Sequence, residues 1–148
     1  MSYNHSVYHI IIRTKYSRMA ISFEYAPKLY AYIWGIIKKQ NGVLYRINGM
    51  EDHIHIVASL SPTIALSDYV RDIKSSSSFW MKRSTLFPNF VGWGKEYCSL
   101  TYSYREKNII VEYVKNQQIH HQKCSLKEEV SVLFEDTDVE LDERFFLD

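Results

Sequence analysis

The stretch Glu51-Asp52-His53-Ile54-His55-Ile56-Val57 constrains the fold of this chain more than any other. Side chains along a β-strand alternate between its two faces, so Ile54 and Ile56 demand a core on one side. His53 and His55 then project together from the opposite face. Two imidazoles fixed on one rigid strand are a natural pair of metal ligands. Such a pair still needs a further ligand, and something for the cation to act on.

The surrounding sequence supplies a sheet for that strand. Val43-Leu44-Tyr45-Arg46-Ile47-Asn48 is a second strand-like run, and Gly49-Met50-Glu51-Asp52 between the two is turn-like, which predicts an antiparallel hairpin. Ser6 to Arg13 is dense in β-branched residues and reads as a first, buried strand. His9 on it is expected to be a packed or hydrogen-bonded core residue rather than a ligand. A helix is predicted from about Phe23, with Tyr25, Leu29, Tyr32, Ile33, Ile36 and Ile37 at mostly three- and four-residue steps. It closes at Lys38-Lys39-Gln40-Asn41-Gly42, with bases in the last turn and glycine beyond. A second helix is predicted from about Ile64 to Arg83, an aromatic loop over Leu86 to Gly94, and a fourth strand over Tyr97 to Tyr104. A last helix is expected from Asn108 to about Lys123. The order predicts an α+β fold: a ferredoxin-like βαββαβ antiparallel sheet with helices on one face, plus a further C-terminal helix and an extension.

The 148 residues suit one core-forming domain, taken as residues 1–127, followed by an acidic C-terminal extension over 128–148. The net charge of +1 conceals the asymmetry between them. The extension holds nine acids and one base, leaving eight acids and 17 bases in residues 1–127. A basic body suits a polyanion, and the acidic segment would be a shield, a self-docking element or a dimer element. Candidate phosphate contacts are Arg13 at the end of the first strand and Lys15 just after it, then Arg71, Lys74, Ser75, Ser76, Lys82 and Arg83 on the second helix. The rings of the aromatic loop would either stack on unpaired bases or plug the edge of the core, and the second reading is favoured. No apolar run approaches the roughly 20 residues of a membrane span, and the N-terminal residues have no signal-peptide layout. Cys98 and Cys124 match no disulfide or zinc spacing and read as reduced thiols, so a cytoplasmic protein is expected.

The last predicted helix carries Tyr113 and Gln117, four apart and so on one face. His120 and His121 follow and are expected to be solvated. Among 12 tyrosines, Tyr113 stands out only in combination with the His-Ile-His strand and the small α/β layout that holds both. At these residues the chain resembles the HUH-type single-tyrosine transposases of the insertion-sequence 200/605 type, which include the REP-associated tyrosine transposases. The resemblance is carried by Tyr8-His9-Ile10-Ile11-Ile12-Arg13-Thr14-Lys15-Tyr16, Asn48 to His55, Val70 to Ser77, and Tyr113-Val114-Lys115-Asn116-Gln117. It implies that His53 and His55 are metal ligands and that Gln117 completes the protein ligation of Mg2+ or Mn2+. Tyr113 would be the nucleophile that attacks a phosphodiester of single-stranded DNA, at ends marked by hairpins, leaving a 5′-phosphotyrosine and a free 3′-OH. It further implies a homodimer, in which the tyrosine helix serves either its own histidine pair or the partner's.

The chemistry is coherent on its own terms. A phosphodiester builds negative charge in the transition state, which a divalent cation offsets. A phenol with a pKa of about 10 is protonated at neutral pH and requires help to attack. Covalent linkage conserves the bond energy, so no nucleotide cofactor is needed. The alternatives are a domesticated relative that cleaves repeated palindromes, an RNA-recognition-like binding module and a His-pair hydrolase of small phosphoesters. The binding module is disfavoured because no Lys/Arg-Gly-Phe/Tyr aromatic strand motif occurs on the first or third strand.

Overall fold

The computed structural model describes residues 3–120 and 124–146. Four strands, β1 (Val7–Thr14), β2 (Val43–Gly49), β3 (His53–Ser59) and β4 (Trp93–Tyr102), form one sheet in the order β2-β3-β1-β4. All three pairings are antiparallel. Helices α1 (Ala26–Lys39) and α2 (Leu66–Arg83) complete the expected βαββαβ order. Both pack on one face, where Ile10, Ile12, Ile54, Ile56 and Ala58 of the sheet meet Leu29, Ile33, Ile37, Tyr69 and Ile73.

The opposite face is covered by C-terminal elements. Helix α3 (Lys107–Lys115) brings Ile110 and Val114 onto Val7 and Val57. Helix α5 (Leu126–Leu133), which straddles the start of the sequence read as an acidic extension, brings Leu126 and Val130 onto Ile11 and Cys98. Between these two clusters the sheet presents His9, Arg13, His53 and His55, all buried. The strands are therefore covered on both faces, and alternation places the imidazoles opposite Ile54 and Ile56. Among the described residues, no helix is long and apolar enough to cross a membrane.

Three boundaries differ most from the sequence expectation, two of them for a tertiary reason. Strand β4 starts at Trp93 rather than Tyr97, because Trp93 pairs with Thr14 of β1. Its indole N–H donates to Ser77 Oγ at 2.9 Å, tying β4 to α2. Phe87, Phe90 and Trp93 are buried, so the aromatic loop plugs the core. Helix α1 starts at Ala26, three residues later than expected, with proline in its first turn, where a missing N–H costs little. The tyrosine helix breaks after Lys115, and a short helix, α4 (Gln117–His120), follows. The expected continuation through 121–123, His121 included, lies outside the described residues. The break is stabilised because the Asn48 side-chain amide donates to the carbonyls of Val114 at 3.2 Å and Lys115 at 3.0 Å. Those acceptors would otherwise lack partners at a helix end.

The hairpin between β2 and β3 depends on a close backbone approach at Gly49. A Cβ there would lie 2.2 Å from the His53 carbonyl oxygen, well inside contact distance. Only glycine lets β2 come this near to the first histidine.

Candidate metal and tyrosine site

Strand β3 holds its two imidazoles rigidly, and each ring has a partner behind it. His53 Nδ1 lies 2.6 Å from Asp52 Oδ1. His55 Nδ1 lies 2.7 Å from Nε2 of His9, which meets it edge to edge from β1 with ring centroids 4.9 Å apart. The Nε2 atoms face the other way, toward one carboxylate. Glu129 Oε1 is 3.0 Å from His55 Nε2 and 3.8 Å from His53 Nε2.

Glu129 is the residue the sequence reading missed. It lies on α5, is 3 % exposed, and gathers the rest of the site. Its Oε2 accepts hydrogen bonds from the Tyr113 hydroxyl and from Gln117 Nε2, the latter at 2.7 Å. One carboxylate thus joins the histidine strand to the tyrosine helix, all within one chain. A signal was present in the sequence. Leu126, Glu129, Val130 and Leu133 fall at helical spacing on one stripe, preceded by Ser125, whose hydroxyl accepts from the Glu128 N–H as an N-cap. A glutamate inside an apolar stripe points to a buried partner, but it is hidden when the segment is read for bulk charge.

Tyr113 is half-buried, with its ring centroid 6.2 Å from those of both His9 and His55. Burial raises its pKa well above the ordinary phenol value, and the Glu129 hydrogen bond and charge add to this. In this arrangement it is a neutral phenol donating to a carboxylate. His9 is held well below the ordinary imidazole range by burial first and by His55 second, against an opposing pull from Glu129. Gln117 is buried although it follows the helix break, and its Oε1 is a buried acceptor without a hydrogen-bond partner among the described residues.

Ligand atoms of His53, His55 and Glu129 lie within 4.8 Å of one another. Two imidazole nitrogens and a carboxylate oxygen, with the open acceptor of Gln117 beside them, form a donor set that fits a divalent transition ion or Mg2+.

The candidate phosphate contacts separate. Lys15, Arg71, Lys74, Ser75 and Lys82 line one groove of about 540 Å3 with Lys95 and Ser78. The groove runs along α2 and the start of β4, on the sheet face opposite the histidines. Arg71 also pairs with Asp68 at 3.0 Å, and the Lys74 ammonium donates to the Lys95 carbonyl at 3.1 Å. Ser76 faces a different hollow between α1 and α2, and Arg83 lies over the Phe79 ring on another surface. Arg13 is not on the surface. It is 1 % exposed, donates to the Phe145 carbonyl and lies 5.3 Å from that ring's centroid. The strand alternation that buries His9 and Ile11 buries Arg13 too, under the turn Glu143–Phe146.

With this geometry in view, the chain was compared with known proteins. Residues 2–117 match the family described as transposase, IS200-like. The ISDra2 transposase TnpA of Deinococcus radiodurans is 30 % identical over 116 residues, covering 74 % of this chain and 82 % of that protein. A crystal structure of a transposase from Deinococcus radiodurans R1 superposes with a TM-score of 0.62 at 26 % identity, covering 78 % of this chain and 93 % of that one. The REP-associated tyrosine transposase bound to a REP hairpin shares the fold, with a TM-score of 0.61 at 13 % identity over 82 % of this chain and 72 % of that one. The family match ends at Gln117, so Glu129 is contributed from beyond the matched segment. The His-Ile-His strand, the Tyr113 helix and the sheet that joins them all fall within a match spanning most of the sequence, and the chain belongs to the IS200-like transposase family.

Proposed function

We propose that this transposase cleaves and rejoins single-stranded DNA at hairpin-marked ends through a covalent Tyr113 intermediate. The observation that carries the reading is the convergence on Glu129 of the Tyr113 hydroxyl, His55 Nε2 and Gln117 Nε2, with His53 Nε2 beside them. A divalent cation, Mg2+ or Mn2+, would be held by His53, His55 and Glu129, with Gln117 Oε1 the adjoining donor. Such a cation, when bound, supplies charge stabilisation at the phosphoryl oxygens.

The protein's own groups account for the remainder. The Tyr113 oxygen attacks phosphorus, a tyrosyl–phosphate bond forms to the 5′ side, and the bond from phosphorus to the 3′ oxygen breaks. That oxygen leaves as a 3′-OH once it has gained a proton. The phenol must shed its own proton as it attacks, and Glu129 Oε2 is the acceptor already set on it. Rejoining is the reverse attack by a 3′-OH, which returns the proton to Tyr113.

The basic groove along α2 supports a phosphate-backbone contact, through Lys15, Arg71, Lys74, Ser75 and Lys82. A hairpin stem is the partner suggested by the structural neighbour bound to a REP hairpin. The homodimer belongs to the same proposal, with the site built within each chain.

The test is incubation with labelled single-stranded hairpin DNA and Mg2+ or Mn2+, followed by a denaturing gel. A covalent adduct is expected, abolished by Tyr113→Phe and severely reduced by His53→Ala. An adduct that survives Tyr113→Phe removes Tyr113 as nucleophile. Tight DNA binding with no adduct under any condition favours a binding module instead.

A further inference from the structure

We propose that His9 is a positioning residue for the cation site, holding His55 so that its Nε2 is presented as a ligand. The inference rests on the metal-binding reading above and extends it to a residue on a different strand.

An imidazole that ligates a cation through Nε2 must carry its proton on Nδ1. A ligating histidine normally donates that N–H to a carboxylate, a carbonyl or water, and this bond sets the ring's tautomer and orientation. For His53 the carboxylate is Asp52, 2.6 Å from Nδ1. For His55 the group observed behind the ring is an imidazole. The place is taken by His9 Nε2, 2.7 Å from His55 Nδ1, with both residues at most 1 % exposed.

A nitrogen–nitrogen contact this short holds one proton between the two atoms. Two protons would oppose each other at the contact, so the pair has two compatible arrangements. In the first, His9 donates to His55 Nδ1, and His55 Nε2 carries a proton toward Glu129 Oε1, 3.0 Å away. In the second, His55 donates to His9, and His55 Nε2 is a free lone pair aimed at the same place. The first satisfies the carboxylate when no cation is present, and the second is the ligating form. His9 Nδ1 is buried and has no hydrogen-bond partner among the described residues, so the second arrangement places an N–H there that none of them satisfies. Asp52, which only accepts, holds His53 in its ligating form throughout. The two ligands are thus unequally prepared: His53 is preset, and His55 is switched by the ring behind it. The strand register makes this possible, because His9, Ile11 and Arg13 share the face of β1 that adjoins His53 and His55 on β3.

The experiment measures Mn2+ affinity directly, by electron paramagnetic resonance and titration calorimetry without DNA. The proteins are the wild type, His9→Phe, His9→Gln and His53→Ala. Phenylalanine keeps a ring at the position but offers no acceptor, whereas the glutamine carboxamide oxygen can accept from His55 Nδ1. His9→Phe is expected to weaken Mn2+ roughly 10–100-fold, the usual cost of losing a ligand's outer partner, and His9→Gln to recover most of it. Nitrogen-15 spectra of the imidazoles with Mg2+ should show His55 protonated at Nδ1 in the wild type and mixed in His9→Phe. Wild-type Mn2+ affinity in a folded His9→Phe overturns the proposal, leaving His9 a packing residue. Equal weakening in His9→Gln and His9→Phe overturns it too. If His53→Ala binds Mn2+ as well as the wild type does, the underlying metal assignment fails instead.

Discussion

Glu129 makes the sharpest prediction, because one side chain joins three elements and its charge and its hydrogen bonds can be removed separately. Glu129→Ala takes the acceptor from Tyr113 Oη, Gln117 Nε2 and His55 Nε2. Tyr113 is half-exposed and regains water, so two buried donors carry most of the cost, about 2–6 kcal/mol at 1–3 kcal/mol per unsatisfied group. For a chain of this size each kcal/mol moves Tm by roughly 3–4 °C, so the metal-free Tm should fall by about 6–24 °C. Glu129→Gln keeps one acceptor oxygen and should stay within about 1 kcal/mol of the wild type. The charge is read from cation-induced stabilisation. At a Mn2+ concentration 100 times the wild-type Kd the folded state gains about 2.7 kcal/mol. A 10–100-fold weaker Kd, the loss known for a mere outer partner and so a lower bound for a ligand, leaves about 1.4 down to 0.4 kcal/mol. Thermal melts with and without Mn2+ measure both quantities. Glu129→Gln should therefore melt like the wild type alone but lose most of its response to Mn2+. A full Mn2+ shift in Glu129→Gln refutes the carboxylate as a ligand. An unchanged metal-free Tm in Glu129→Ala refutes the hydrogen-bond network.

Asn48→Ala removes two hydrogen bonds that seat the end of the tyrosine helix, and should cost about 1–3 kcal/mol by denaturant unfolding. Its adduct yield should fall further than its Mn2+ affinity, since the histidine strand stays in place. Gly49→Ala forces a Cβ onto the His53 backbone and should abolish Mn2+ binding, even where circular dichroism shows a folded protein. Ile54→Ala empties a fully buried position beneath the histidines and should cost about 2–5 kcal/mol, read as a lower Tm. The Cys98 thiol is buried, and burial pushes its pKa up to about 12 against a smaller opposing pull from Arg13. It should resist alkylation at pH 8 until the protein is unfolded, which mass spectrometry of the labelled peptide checks.

What the sequence determined by itself was the framework and the chemistry-bearing pair. Period-two alternation places His53 and His55 on one face, because strand geometry admits no other outcome. The Gly49 turn and the order of apolar runs then lead to the βαββαβ sheet. Tyr113 and Gln117 were legible by helical spacing, although the helix breaks between them. The break was not legible, since its cause is the side chain of Asn48, which is 66 residues from Val114 in sequence. The burial of Arg13 was hidden for a similar reason: its cover comes from Phe145, at the far end of the chain. Above all, only the tertiary structure could reveal Glu129 and His9 as neighbours of the histidine pair. Local patterns set which face a side chain occupies. Which distant segment covers that face is decided by long-range packing of apolar surfaces, here Leu126 and Val130 on Ile11 and Cys98. Those contacts carry a carboxylate from an acidic segment to the centre of the site.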